Sequence, residues 1–254
     1  MTLIKSKFVT PFIVFLSILL IWEILVNVWN IPNYLLPNPT SIIHGLLYRL
    51  PFLLPHIQVT FIESFSGFVI GSLFGFILAV LFVFSSTLEK AIYPYAIALK
   101  SVPIVAIAPM LVIWFGNELL PKIIISAIIS FFPVVVNVAK GLKSVENEAL
   151  DLFNSLSANK TQIFLKLQIY NSIPFLFSAL KISATLSVIG AIVGEFAGSD
   201  KGLGFFILIS SRRLETVDMF IGIILASLMG IFYFYIISFL ERTTSPWAKE
   251  YNLT

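Results

Sequence analysis

Apolar residues run along this chain in blocks too long to be the buried faces of soluble helices, with polar punctuation between them. The blocks are 11–29, 59–84, 91–115, 122–141, 175–198 and 220–240. Each holds roughly 20 or more mostly apolar residues, the length a helix needs to cross a bilayer. The pattern predicts an all-α, polytopic membrane protein with six transmembrane helices in a single domain over 1–254. Gly67, Gly71 and Gly75 recur every four residues in the second block, and Gly190, Gly194 and Gly198 do so in the fifth. Small residues at that spacing let helices approach closely in a membrane.

The intervening stretches differ from one another. Pro32, Pro37, Pro39, Pro51 and Pro55 interrupt 31–55 too often for a spanning helix. Thr40 is expected to cap a short helix over 41–50, with Ile42, Ile43, Leu46, Leu47 and Leu50 lying on the membrane surface. Residues 199–215, with Asp200, Lys201, Gly202, Gly204, Arg212 and Arg213, read as an exposed outer loop able to meet a soluble partner. The polar interlude 151–174 reads as helix, turn, helix. Leu152, Phe153 and Leu156 form one apolar stripe, and Ser157, Ala158 and Asn159 break it. Ile163, Phe164 and Leu167 then oppose Lys160, Gln162 and Lys166, and Pro174 is expected to mark the boundary before the next crossing.

Composition narrows the chemistry. The chain is 58% hydrophobic with mean hydropathy +0.99 and 11% charged residues, against about a quarter charged in an ordinary soluble domain. It has no cysteine and two histidines, His44 and His56, so neither a disulfide framework nor a metal site is expected. A net charge of +3 without clustered cations beside aromatic platforms argues against nucleic acid. No Gly-rich loop leads into Lys and Ser or Thr, so the chain is expected to carry no ATP site, no catalytic residue and no cofactor of its own. Ser64 and Ser66 lack a histidine in a neighbouring crossing, which argues against an intramembrane hydrolase.

Charges inside apolar runs are functional candidates by default. Glu63, Glu195 and Lys100, the last just before Pro103 in a run also broken by Pro94 and Pro109, are the pathway candidates together with Pro103. Glu23 lies close enough to Trp29 to reach the interface, and Lys181 close enough to the inner surface to snorkel. Six crossings put Lys5, Lys7, Lys90, Lys143, Lys160, Lys166, Arg242 and Lys249 on one side, and Arg49, Lys122, Lys201, Arg212 and Arg213 on the other. The excess marks the first side as cytoplasmic, with both termini and the 151–174 loop on it. On spacing alone that loop is either a solvated connector or a docking site.

The order of residues in the loop resembles the cytoplasmic loop of ABC importer permeases, whose pattern is Glu-Ala-Ala, three residues, then Gly. Asp151 falls at the Glu position, Leu152 and Phe153 at the two Ala positions and Ser157 at the Gly position, while Ile169 and Tyr170 stand where the family has Leu-Pro. Ser157 departs from the pattern because a glycine there would tolerate a left-handed backbone that serine adopts only at a cost. Trp22 and Glu23, the run 36–39, Gly67, Phe68 and Gly71 resemble successive landmarks of the nitrate, sulfonate and taurine branch. So do Pro103, Ala108, Pro109, Trp114 to Gly116, Phe131 to Pro133, Asn137, Gly194, Glu195 and Gly202 to Gly204.

The resemblance implies a type I ABC importer permease fold in a bacterial inner membrane. It implies two partner ATPase subunits that bind ATP and Mg, a second permease copy, and an extracytoplasmic substrate-binding protein. The ATPase-coupling residues would be Asp151, Leu152, Phe153, Leu156, Ser157, Ala158, Lys160, Ile163 and Phe164. The solute would be an oxyanion, a sulfonate or, by resemblance around Glu63, 100–103 and 114–116, a pyrimidine-like vitamin precursor. The alternative function is an ATP-independent secondary carrier or channel, which leaves the 151–174 loop without a purpose.

Overall fold

A computed structural model describes residues 2–100 and 102–245, with side chains described from residue 9 onward except those of residues 99 and 100. Lys5, Lys7 and Lys249 therefore lie outside the described side chains. The described residues form helices joined by short turns: α1 (Thr2–Val28), α2 (Pro39–Phe84), α3 (Ser86–Lys100), α4 (Ile104–Phe115) and α5 (Leu119–Lys143). There follow α6 (Asn147–Ser155), α7 (Lys160–Ile163), α8 (Ile169–Ala197), α9 (Leu203–Arg212) and α10 (Thr216–Thr244). One π-type turn, Phe164–Gln168, runs α7 into α8 as a single 38-residue helix.

Five of these helices are long and apolar enough to cross a membrane: Val9–Val28, Pro39–Phe84, Leu119–Lys143, Lys160–Ala197 and Thr216–Thr244. The apolar run 91–115 is shared between α3 and α4, with Pro103 starting the second. The short surface helix expected over 41–50 is instead the first part of α2, which continues through Pro51 and Pro55 for 46 residues. Each proline removes one backbone bond. Ile42 before them and Leu53 between them are buried in one cluster with Phe206 and Ile221, so packing holds these turns in line. Pro174 likewise lies inside a helix and sets no boundary.

The centre of the bundle is α5 clasped between α2 and α8. Gly67, Gly71 and Gly75 lie against Ser126, Ala127 and Phe131 of α5. On the other side Gly190 meets Ser126 and Gly194 meets Lys122. At Gly71 an added Cβ would collide with the Ala127 backbone, so only hydrogen fits. The closeness allows side chains to reach backbone carbonyls across helices: Ser183 Oγ donates to Ser130 O at 2.7 Å and Ser126 Oγ to Ser187 O at 2.9 Å. Such interhelical bonds add about 0.6 kcal/mol each on average in membrane proteins. At the α6 end the core turns fully apolar, with Phe82, Val134, Val135, Val138 and Leu142 buried together. Val26 is buried, whereas most of the apolar surface of α1 faces outward.

Candidate functional site

Two places combine unusual chemistry with defined geometry, one at each end of α8. At its start, α6 stands outside the bundle. Leu152 is 58% and Leu156 70% exposed, with Phe153 half-buried beside them and Asp151 and Lys160 exposed. Ser157 closes α6 at φ +54°, the left-handed conformation that its position in the loop pattern requires. Its N–H reaches Asn154 O at 2.9 Å, and the N–H of Ala158 reaches Phe153 O at 3.0 Å. Asn159 then starts α7 with a reciprocal cap: Gln162 N–H donates to its side chain at 2.9 Å, and its own N–H donates to Gln162 Oε1 at 2.8 Å.

The second half of the loop is anchored in the bundle. Phe164 is buried in the apolar core with its ring 4.9 Å from that of Phe84, and Ile163 is partly covered beside it. Asn171 donates to Gly141 O at 3.1 Å and to Ser144 Oγ at 2.9 Å, which ties α8 to the end of α5. Lys143 pairs with Glu89 of α3 nearby. These contacts hold Phe164 and the start of α8 against the ends of α2 and α5, and α6 is joined to them through the turn at Ser157.

At the far end of α8 lies a polar junction made by α2, α5, α8 and α9. Glu195 is 1% exposed. Its carboxylate accepts from Thr60 Oγ1 at 2.6 Å, from Phe205 N–H at 3.3 Å and from Gly204 N–H. Thr60 Oγ1 also accepts from Leu203 N–H at 2.7 Å, and His56 Nδ1 lies 3.1 Å from both N and O of Gly202. The first amides of α9, which have no partner within their own helix, are therefore satisfied by side chains of α2 and α8. Gly202 sits at φ +111°, and a Cβ there would occupy the Glu195 carboxylate.

Glu63, also 1% exposed, lies beside Glu195, and its Oε2 is buried without a partner. Lys122, 1% exposed, directs its ammonium to Asn117 O and, at 2.8 Å, to Glu118 O. Its positive charge offsets the two buried acids at short range without direct pairing to either among the ion pairs described.

Of the residues singled out from sequence, Glu63 and Glu195 thus come together. Pro103 does not join them but precedes the first turn of α4. Lys100 ends α3, and its side chain lies outside those described. The expected outer loop 199–215 is mostly the helix α9, with Leu203, Gly204, Phe206 and Ile207 buried. Lys181 pairs with Glu241 instead of snorkelling alone. Glu23 accepts from Thr40 N–H at 3.1 Å and from its hydroxyl, so it helps cap α2 together with Asn38.

His56, Thr60 and Lys122 were missed, yet a signal existed. His56, Thr60, Glu63, Gly67, Gly71 and Gly75 form one continuous helical stripe, and Lys122, Ser126 and Ser130 form another. Separately, α4, α5 and α8 enclose a cavity of about 330 Å³, lined by apolar residues with Phe132 and Asn137.

A family model described as binding-protein-dependent transport system inner membrane component matches residues 71–246. The formylaminopyrimidine transport permease protein ThiX of Halalkalibacterium halodurans is 34% identical over 245 residues, covering 94% of this chain and 96% of that protein. The riboflavin transport system permease protein RibX of Chloroflexus aurantiacus is 26% identical, covering 92% and 88%. Among solved structures, an amino acid ABC transporter superposes with TM-score 0.61 at 19% identity, over 78% of this chain and 97% of that one.

Proposed function

The chain belongs to the binding-protein-dependent transport system inner membrane component family, and from that premise we propose how it couples and what it carries. It is a membrane-spanning permease subunit of an ABC importer, working with ATPase partners and a binding protein. In our reading it has no ATPase site of its own, and two ATPase subunits with bound ATP and Mg dock at 151–164, beneath two copies of this chain in a bacterial inner membrane. Both termini then face the cytoplasm.

The observation that carries this reading is the exposure of Leu152 on α6 and of Leu156 just after it, followed by Phe164 buried inside the bundle. An apolar tip joined to an anchored segment fits a groove on a partner. Closure of the ATPase dimer would displace α6 as a body and, through the continuous 38-residue helix, swing the α8 crossing. Each exposed leucine should contribute about 1–2 kcal/mol when covered. Leu156→Asp and Asp151→Lys should therefore leave a folded permease while reducing ATPase copurification roughly tenfold or more. Unchanged copurification in both variants would refute the docking role.

For the solute we propose a neutral, flat heteroaromatic compound of the pyrimidine class. The cavity beside α4 offers a phenyl face in Phe132 and an amide in Asn137, and among the described residues its lining contains no cation to hold an oxyanion or sulfonate. Asn137 already donates to Pro133 O at 2.8 Å, leaving its carbonyl as an acceptor for a ring amine. Lys100 remains the candidate that would favour an anion, along with Pro103 beside it. Competition of labelled formylaminopyrimidine uptake by pyrimidines but not by taurine supports the proposal. The opposite preference, abolished by Lys100→Gln, refutes it.

A further inference from the structure

Near the start of α2 and α10, on the face that the importer reading makes extracytoplasmic, the surface holds a recess of about 320 Å³. Its walls include Tyr34, Arg49, Leu214, Glu215, Thr216 and Asp218. Thr216 Oγ1 donates to Tyr34 O, which ties the α1–α2 connection to the start of α10. Arg49 Nε pairs with Asp218 Oδ1 at 2.9 Å. The other carboxylate oxygen, Oδ2, has no hydrogen-bond partner although the residue is 97% buried, the complement of its 3% exposure.

The rim is equally particular. Leu214 adopts φ +57°, a conformation unfavourable for a side chain of its kind, and is 67% exposed. Tyr34 is 61% exposed beside it, and Glu215 is exposed as well. The lining holds two carboxylates, Glu215 and the Arg49-paired Asp218, and one guanidinium, so its formal charge is net negative while its edges include Leu214 and Tyr34. Exposed tyrosine is enriched among the residues that anchor protein interfaces.

We propose that this recess receives a basic side chain, lysine or arginine, from a lobe of the substrate-binding protein, with Leu214 and Tyr34 covered around it. The inference rests on the importer reading above and adds the site and the chemistry of its partner. Glu215 and Asp218 supply the attraction, and Arg49 keeps the Asp218 carboxylate in place. Each permease copy offers one such recess.

The test uses the permease and its ATPase in lipid nanodiscs, with the substrate-binding protein that stimulates ATP hydrolysis by the wild-type complex. The binding protein is fluorescently labelled, and its Kd is measured at low and high salt. Glu215→Lys should weaken binding about tenfold at low salt, a difference that shrinks at high salt because the attraction is electrostatic. Leu214→Ser and Tyr34→Ala should weaken it several-fold with little salt dependence. Both positions are exposed, so ATP hydrolysis in the absence of binding protein should stay at the wild-type rate in all three variants. Wild-type Kd in all three variants overturns the site alone. Failure of the wild-type complex to bind any such protein removes the importer reading and this site with it.

Discussion

Replacing Glu195 by alanine should unfasten α9. The side chain is 1% exposed and accepts three hydrogen bonds, from Thr60, Gly204 and Phe205. Hydrogen bonds to a charged group contribute about 1.5–3 kcal/mol each, and they do not add fully. Removing the carboxylate also relieves its own burial, and it leaves Lys122 with less compensating charge. Breaking a buried charged cluster from one side generally costs about 3–5 kcal/mol, which we take as the expected loss. For a chain of this size that corresponds to roughly 6–20 °C in Tm. Thermal unfolding of the detergent-purified permease, followed by intrinsic tryptophan fluorescence, reads the shift directly. Thr60→Val should show a smaller loss, about 2 kcal/mol, because it removes one donor to Glu195 and the acceptor of Leu203 N–H. Combined with Glu195→Ala it should add less than its separate value, since the two share a bond. A Glu195→Ala protein melting within about 2 °C of wild type would mean that α9 is held by apolar packing alone, and the reasoning would fail.

Three other outcomes follow from the same geometry. Gly71→Ala should cost at least about 1–3 kcal/mol, because its Cβ meets the Ala127 backbone and not a flexible side chain; a wild-type Tm would show that α2 and α5 can separate freely. Ser157→Gly should retain ATPase copurification, whereas Ser157→Val should reduce it, since a β-branched residue is strongly disfavoured at φ +54°; full retention by the valine variant would refute the need for this turn. Lys181→Met should destabilise by about 3 kcal/mol by leaving buried Glu241 unpaired, and adding Glu241→Gln should recover most of the loss. No recovery in the melting curve of the double variant would assign the loss to packing over Phe234.

Much of the fold was legible in the chain because a bilayer imposes one strong rule. Long apolar segments must satisfy their own backbone, and only helices do so locally. The loop 151–164 was legible for a related reason: the alternation of Leu152, Phe153 and Leu156 with polar neighbours, a break at Ser157, and a resumption from Lys160 describe local structure. Ser157 shows this well, since the left-handed turn implied by its place in the pattern is the one it adopts. Prolines misled where local rules were applied to packed segments. Pro51, Pro55 and Pro174 all lie within helices, because neighbouring residues are held by tertiary contacts that a single segment cannot reveal.

The polar junction divides the same way. Sequence by itself determined that Glu63 and Glu195 sit in apolar surroundings, and so that each needs some partner. It also determined the glycine stripes along α2 and α8. Only the tertiary structure decided that Glu195 would close on α9 across nine residues of chain while Thr60 reached it from 135 residues away. The physical reason is range: helix formation and membrane partition depend on neighbours along the chain, whereas a buried charge chooses among partners that become neighbours only when the helices pack.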